Sequence, residues 1–311
     1  MKRAELVEHA RETIARGSYS FAMASKLFDR KTRERVWLLY AWCRRCDDLA
    51  DGQELGHDMQ AVADPMARLE EIRARTARAL AGEPAGDPCF DALGIVAAEC
   101  AIPHRYIEDH IAGFALDAEG WVPETETDLL RYCYHVAGVV GIMMAHVMGV
   151  DPADKRTMNR ACDLGLAFQL SNIARDIGED AFNGRCYLPR RWLADANVDP
   201  TALEQQSNRP ALAAMAGRLA DMAQLYEASA RRGTPALPFR SAWAVLAAAG
   251  IYGAIARKVR EAGEEALDSR QVTTRTEKMR WLIRAFYQAR GRKRLFRDEP
   301  RSDVLWSRHD R

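Results

Sequence analysis

The sequence predicts an all-α protein, and three observations predict it. Every long segment places apolar residues at helical spacing among Ala, Leu, Arg and Glu. No run alternates apolar and polar residues at period two with β-branched side chains. Connections are short, no fixed-period repeat occurs, and no low-complexity linker divides the chain. With 311 residues, 48% of them apolar, the chain can bury one large core. The expected partition is one helical domain over residues 1–297, followed by a polar C-terminal tail at 298–311 that frays.

The elements follow in order. Arg3–Arg16 is the first helical pattern. Thr32–Asp51 is the second; its stretch Val36–Cys43 is apolar all round, which places that helix at the centre. Pro65–Ala81 stops at Gly82-Glu83-Pro84, and Pro88–Ala101 and His104–Leu116 precede the break at Ala118–Pro123. Thr127–Met148 ends before Asp151-Pro152. Ala153–Asp180, nearly as apolar between Ala161 and Leu170, ends before Asn183-Gly184. Pro210–Arg232 stops at Thr234-Pro235, and Arg240–Ala262 and Thr276–Arg297 complete the series.

Composition excludes several functions. Lys+Arg 45 against Asp+Glu 44 gives a net charge of +1, without the field that gathers nucleic acid, and no reader motif appears. Seven cysteines, an odd number scattered through apolar stretches, read as reduced thiols of a cytoplasmic protein. Met1–Ala10 is charged and has no signal-type apolar core. The apolar runs Val136–Val150 and Ala242–Ala256 fall short of the roughly 20 residues that cross a bilayer.

Two helix ends carry the chemistry. The first central helix finishes in Arg44-Arg45-Cys46-Asp47-Asp48-Leu49-Ala50-Asp51, the second in Asn172-Ile173-Ala174-Arg175-Asp176-Ile177-Gly178-Glu179-Asp180. Acids at a helix C-terminus oppose its dipole at a cost of about 0.3–1 kcal/mol each. Asp47 and Asp51, and likewise Asp176 and Asp180, are also i,i+4 like-charge pairs. The same local rule broken twice marks a site, and bound divalent cations reverse the sign of every such cost. Asp47, Asp51, Asn172, Asp176 and Asp180 offer only oxygen, which suits Mg²⁺ or Mn²⁺ and not Zn²⁺. Such ions keep positions open for phosphate, so two ridges facing across a helical cavity would hold a diphosphate, with Arg44 and Arg175 neutralising it. On this reading Asp176→Asn removes repulsion and leaves the fold as stable or slightly more so.

The chain resembles the squalene/phytoene synthase family of isoprenyl diphosphate synthases. The resemblance rests on Tyr132-Cys133-Tyr134-His135-Val136-Ala137-Gly138-Val139-Val140-Gly141 and on Gly165-x3-Gln169-x2-Asn172-Ile173-Ala174-Arg175-Asp176-x3-Asp180-x4-Arg185-Cys186-Tyr187-Leu188-Pro189. Gly17-Ser18-Tyr19-Ser20-Phe21 and Tyr40-Ala41-Trp42-Cys43-Arg44-x2-Asp47-x3-Asp51 match upstream, and the likeness runs from Gly17 to Gln271. Within the family these blocks are most similar to bacterial phytoene synthases.

The resemblance implies an isoprenoid-synthase-type bundle around a central cavity. It implies head-to-head condensation of two geranylgeranyl diphosphates, through a cyclopropylcarbinyl diphosphate, to phytoene for carotenoid biosynthesis. It also implies three Mg²⁺ or Mn²⁺ ions with bound diphosphate, and no reductant. Carried over residue by residue, Asp47, Asp51, Asn172, Asp176 and Asp180 reach the metals, with Asp48 behind them. Ser20, Tyr40, Arg44, Gln169, Arg175, Tyr252 and Arg270 meet the diphosphates. Phe21, Tyr132, Ala137 and Gly141 line the cavity, with Tyr132, Phe21 and Arg175 nearest the chemistry. Small Ala137, Gly138 and Gly141 are expected to leave room beside Tyr132 for a second chain.

The rival readings are a farnesyl-diphosphate-using squalene or dehydrosqualene synthase and a non-catalytic helical assembly protein. The costly acids at two helix ends argue against the latter. Cys43-x2-Cys46 has no second pair for zinc, and Glu54-x2-His57 has no second copy for a di-iron site. His135 and His146 read as hydrogen-bonded core residues. Insoluble substrates and product imply transient peripheral membrane contact and downstream carotenoid enzymes as partners; the basic end Arg290–Arg297 reads as a solvated face, with contact to anionic lipid the alternative.

Overall fold

The computed structural model describes residues 1–52, 55, 62–297 and 299–308. Among them no strand occurs. The helices are α1 (Arg3–Gly17), α2 (Tyr19–Ser25), α3 (Arg30–Asp51), α4 (Pro65–Leu80), α5 (Pro88–Cys100), α6 (His104–Ala118), α7 (Glu126–Cys133), α8 (Val139–Val147), α9 (Lys155–Phe182), α10 (Arg190–Asp195), α11 (Arg209–Arg231), α12 (Phe239–Ala262) and α13 (Arg275–Leu295). Glu54 and His57 lie outside the described residues.

Local chemistry sets the ends of the two central helices. Asp29 accepts from the Thr32 amide and Asp154 from the Thr157 amide, capping α3 and α9. Gly52, at φ 64°, stops α3 in the left-handed conformation just after Asp51. α3 packs against α1 and α5, and α9 against α8, α11 and α12, so both run through the body of the bundle. Trp42, Leu38 and Leu39 of α3, and Leu166 and Leu170 of α9, are fully buried.

Four features differ from the expectation. Thr127–Met148 is not one regular helix, because a π-helical segment, Tyr134–Gly138, separates α7 from α8. α2 and α10 were not anticipated; at 7 and 6 residues they are too short for a periodic signal. Phe239–Leu267 is long and apolar enough to cross a membrane, but 61% of its apolar window is buried, and α12 packs on α9, α11 and α13 as a core helix. The tail expected to fray is docked through Arg301, whose guanidinium forks onto the fully buried Asp163 at 2.7–3.2 Å and donates to the Trp306 carbonyl at 2.7 Å. The Trp306 amide in turn donates to Tyr226 Oη, and the Glu299 carbonyl accepts from Arg160. All seven cysteines are free thiols, including the Cys43/Cys46 pair.

Candidate active site

A cavity of about 340 Å³ runs through the bundle. Its wall on α9 starts at Thr157 and Arg160 and continues as the stripe Ala161, Leu164, Gly165, Phe168, Gln169 and Asn172; on α3 it is Val36, Leu39, Tyr40, Cys43, Arg44 and Asp47. Both stripes turn from apolar to polar toward the helix C-terminus, so the ridges share one end of the cavity. The apolar part of the α9 wall, Ala161 to Phe168, spans about 10 Å at 1.5 Å per residue.

At the polar end the acids divide into two kinds. Asp51 accepts from Arg185 Nη2 at 2.8 Å. Asp176 is clamped by Arg175 (Nε–Oδ1 2.7 Å) and by Arg270 (3.0 and 3.2 Å). Asp47 and Asp180 lack such partners. Arg44 approaches Asp47 only to 3.8 Å, and Asp180 forms no ion pair among the described residues. Burial, then the neighbouring Asp176, pushes the Asp180 carboxyl up to about 7; burial, with Asp51 and Asp48 nearby, does the same to Asp47. Asp47 still opens to the cavity, with 38% of its side chain exposed. Asp48 is buried and accepts from the Leu55 amide.

Two donors face this end without partners: Tyr40 Oη and Arg44 Nε are buried and make no hydrogen bond. An oxyanion would satisfy both. Carboxylates of which Asp47 and Asp180 lack a close partner, an amide oxygen at Asn172, and unsatisfied hydroxyl and guanidinium donors are a set that fits hard cations together with a diphosphate. Among the described residues no three acidic, His or Cys side chains converge to hold an ion unaided. Substrate oxygens would therefore have to complete any coordination shell.

Beside the ridges Phe21, Tyr40, Phe168 and Tyr252 form an aromatic cluster, with Phe168 and Tyr252 stacked at 4.3 Å and Phe21 5.2 Å from Tyr252. Their half-buried ring faces turn to the cavity, where they could stabilise positive charge. Ala137 and Gly141 line the cavity. Ser20 lies on α2 next to Phe21 but does not line it, and Arg270 stands half exposed at the mouth.

Two expectations need correction. Tyr132 does not line the cavity; it is buried between Trp121 and Tyr187, with its hydroxyl 3.1 Å from both oxygens of Asp117. Gly138 and Gly141 do not leave room for a second chain: a Cβ on Gly138 would meet Cys162 Sγ, and one on Gly141 the Ala161 carbonyl, so both serve close contact with α9.

Sequence reasoning missed Asp117, Arg185 and Phe168. Asp117 ends α6, is pushed up to about 7 by burial and then by Asp51, and also accepts from Tyr187. Its signal was present: a third acid at the C-terminal end of a largely buried helix.

These raised carboxyls give a pH prediction. Each binds its proton more tightly folded than unfolded, so its contribution to stability is complete below about pH 4 and is lost as pH rises through about 7. His110, lowered to about 4 by burial, acts in the opposite sense, so a difference measurement is needed. In chelator, wild type should lose Tm relative to Asp180→Asn between pH 5 and pH 8. A constant Tm difference would contradict the raised Asp180.

Comparison with known proteins is consistent with this geometry. Residues 14–278 match the family model for squalene/phytoene synthase. The chain is 48% identical over 310 residues to a 15-cis-phytoene synthase of Pantoea ananas, covering 99% of each, and 37% identical to a phytoene synthase of Rhodobacter capsulatus, covering 89% and 79%. A dehydrosqualene synthase solved with a ligand superposes with a TM-score of 0.82 at 28% identity, covering 93% of this chain and 98% of that one. A squalene synthase from Alicyclobacillus acidocaldarius gives 0.70 at 27%, covering 84% and 95%.

Proposed function

The chain belongs to the squalene/phytoene synthase family, and from that premise we propose that it joins two geranylgeranyl diphosphates head to head, through a cyclopropylcarbinyl diphosphate, to make phytoene. It is a prenyltransferase of the 15-cis-phytoene synthase type, an all-α enzyme of isoprenoid and carotenoid biosynthesis. The observation that carries the reading is 48% identity to curated phytoene synthases along the whole chain. Asp47 and Asn172, one from each helix-end motif, at one end of a largely apolar cavity give it a physical basis. Residues 1–297 would act as one domain.

Family members typically need divalent metals; here Mg²⁺ or Mn²⁺, three ions in all, would neutralise the diphosphates and help them leave. Asp47, Asp51, Asn172, Asp176 and Asp180 would hold them. Arg44 and Tyr40 receive diphosphate oxygens through the donors left unsatisfied, with Gln169 and Tyr252 beside them. Arg175 and Arg270 are held by Asp176; were that carboxylate to hold a metal, both guanidinium groups would be available to diphosphate.

After the first diphosphate leaves, the aromatic cluster flanks the allylic cation while the double bond of the second chain attacks it. A proton is lost and the cyclopropyl product retains the second diphosphate. Departure of that group, rearrangement and loss of another proton give the hydrocarbon. No hydride is added, so no reductant is needed. Residues of the apolar wall keep water from the cations.

Product analysis with geranylgeranyl and farnesyl diphosphate supplied separately tests the reading. Phytoene from the first substrate, at the higher rate and without nicotinamide nucleotide, is expected. Faster turnover of farnesyl diphosphate would favour the second reading, a dehydrosqualene-type synthase, which the fold likeness at a TM-score of 0.82 keeps in view. Ala137→Phe fills the cavity wall and should depress geranylgeranyl turnover more than farnesyl turnover; an unchanged ratio would remove Ala137 from the tail path. The enzyme works in the cytoplasm against a membrane surface, which supplies its substrates and passes phytoene to downstream carotenoid enzymes.

A further inference from the structure

The exposed side of α13 meets another element, among the described residues, only at its start, where Tyr19 approaches. Its inner side, through Leu282, Ala285, Phe286 and Ala289, packs toward α12 and the segment before it. About a quarter-turn round the helix stand Met279, Ile283 and Tyr287, one turn apart and 53%, 55% and 67% exposed. Around that stripe Arg275, Arg280, Arg284, Arg290, Lys293 and Arg294 are all exposed and form no ion pair among the described residues. Within α13 no free acid balances them, since Glu277, the only carboxylate in the helix, is turned to Lys258 at 2.8 Å. In a chain of net charge +1 this is a strongly one-signed face.

The face continues to the cavity mouth. Arg275 and Lys278 lie over the ring of Tyr19, at 5.6 and 5.1 Å. Tyr19 is half exposed and opens α2, whose Phe21 lines the cavity. Arg270, on Asp176 at the mouth, lies five residues before α13.

We infer that the outer face of α13 is the surface by which this protein lies on an anionic lipid bilayer, with Met279, Ile283 and Tyr287 entering the interface. The inference deepens the proposed function and rests on it for the reason a membrane is approached at all. Cations flanking a short apolar stripe are what an amphipathic helix uses to lie in the plane of acidic headgroups. A second copy of the chain is disfavoured there, because a two-fold contact would set six cations against six. Docked this way, the Tyr19 edge sets the cavity mouth beside the lipid, and a prenyl tail passes between them without crossing water.

The test is flotation of the full chain with vesicles of phosphatidylcholine alone, or of phosphatidylcholine mixed with phosphatidylglycerol. Wild type should float with the acidic vesicles and stay behind with the neutral ones. Arg280→Glu, Arg290→Glu and Arg294→Glu combined should weaken acidic-vesicle binding roughly a hundredfold. Met279→Ser, Ile283→Ser and Tyr287→Ser combined should weaken it about tenfold. Both sets should retain wild-type turnover of detergent-dispersed geranylgeranyl diphosphate, and each single reversal serves should a triple variant misfold. Binding that neither set weakens, equal binding to neutral vesicles, or a dimer that the reversals dissociate would overturn the inference. Vesicle binding lost as expected in a chain that makes no phytoene in detergent would instead sink the catalytic reading and leave this surface standing.

Discussion

Asp180→Asn is expected to lower turnover by roughly 10²–10³-fold, the scale on which losing one preorganised charge-stabilising contact acts, while leaving the metal-free fold as stable as wild type or more so. The carboxyl stands one turn from Asp176 at the end of α9, is pushed up to about 7, and has no ion-pair partner among the described residues. Removing its charge relieves about 0.2–0.5 kcal/mol of i,i+4 repulsion, and the unfavourable dipole interaction with it. Asp176→Asn should lose turnover as severely, but its effect on stability has the other sign. The earlier expectation of neutral or better stability treated Asp176 as a bare repelling charge, whereas two guanidinium groups close on it. Losing the charge leaves Arg175 part-buried without its carboxylate, a penalty of about 1–3 kcal/mol. Thermal melts in chelator and turnover with Mg²⁺ separate the cases. An Asp180→Asn protein that melts early, or keeps near-normal turnover, would show that Asp180 is not a metal ligand.

The difference between those two aspartates shows what a sequence can carry. The ridges were legible because they break a local rule, acids at helix C-termini and i,i+4 like pairs, and local rules are written in adjacent residues. Which acid is paired depends on Arg270 and Arg185, which approach from other parts of the chain and carry no local mark. The central helices were legible because Val36–Cys43 and Ala161–Leu170 are apolar all round. The π segment at Tyr134–Gly138 was not, since one inserted residue hardly disturbs a run already apolar on every face. The docked tail escaped because its anchor pairs far along the chain. Arg301 looks like a solvated charge until Asp163, 138 residues earlier, is found buried beneath it.

Gly165→Ala should be among the most damaging small changes in the molecule, and Gly291→Ala, the same substitution, should stabilise it. Gly165 is where α9 touches the π segment backbone to backbone. A Cβ there would overlap the Ala137 carbonyl and stand 2.7 Å from Gly138 Cα. Neither is a side chain that can swing away, so the helices must part, and overpacking of this kind costs about 1–3 kcal/mol or more. The displaced segment carries Ala137, and the displaced helix carries Phe168, Gln169 and Asn172, so turnover should fall with stability. Gly291 lies on α13, where a Cβ meets only the tip of the exposed Leu295 side chain, at 3.2 Å. Alanine there should gain about 0.5–1 kcal/mol from helix propensity alone. Denaturant melts of both variants read the signs directly. If Gly165→Ala folds as well as wild type, α9 and the π segment are not in backbone contact, and the cavity must be wider there than this structure draws it.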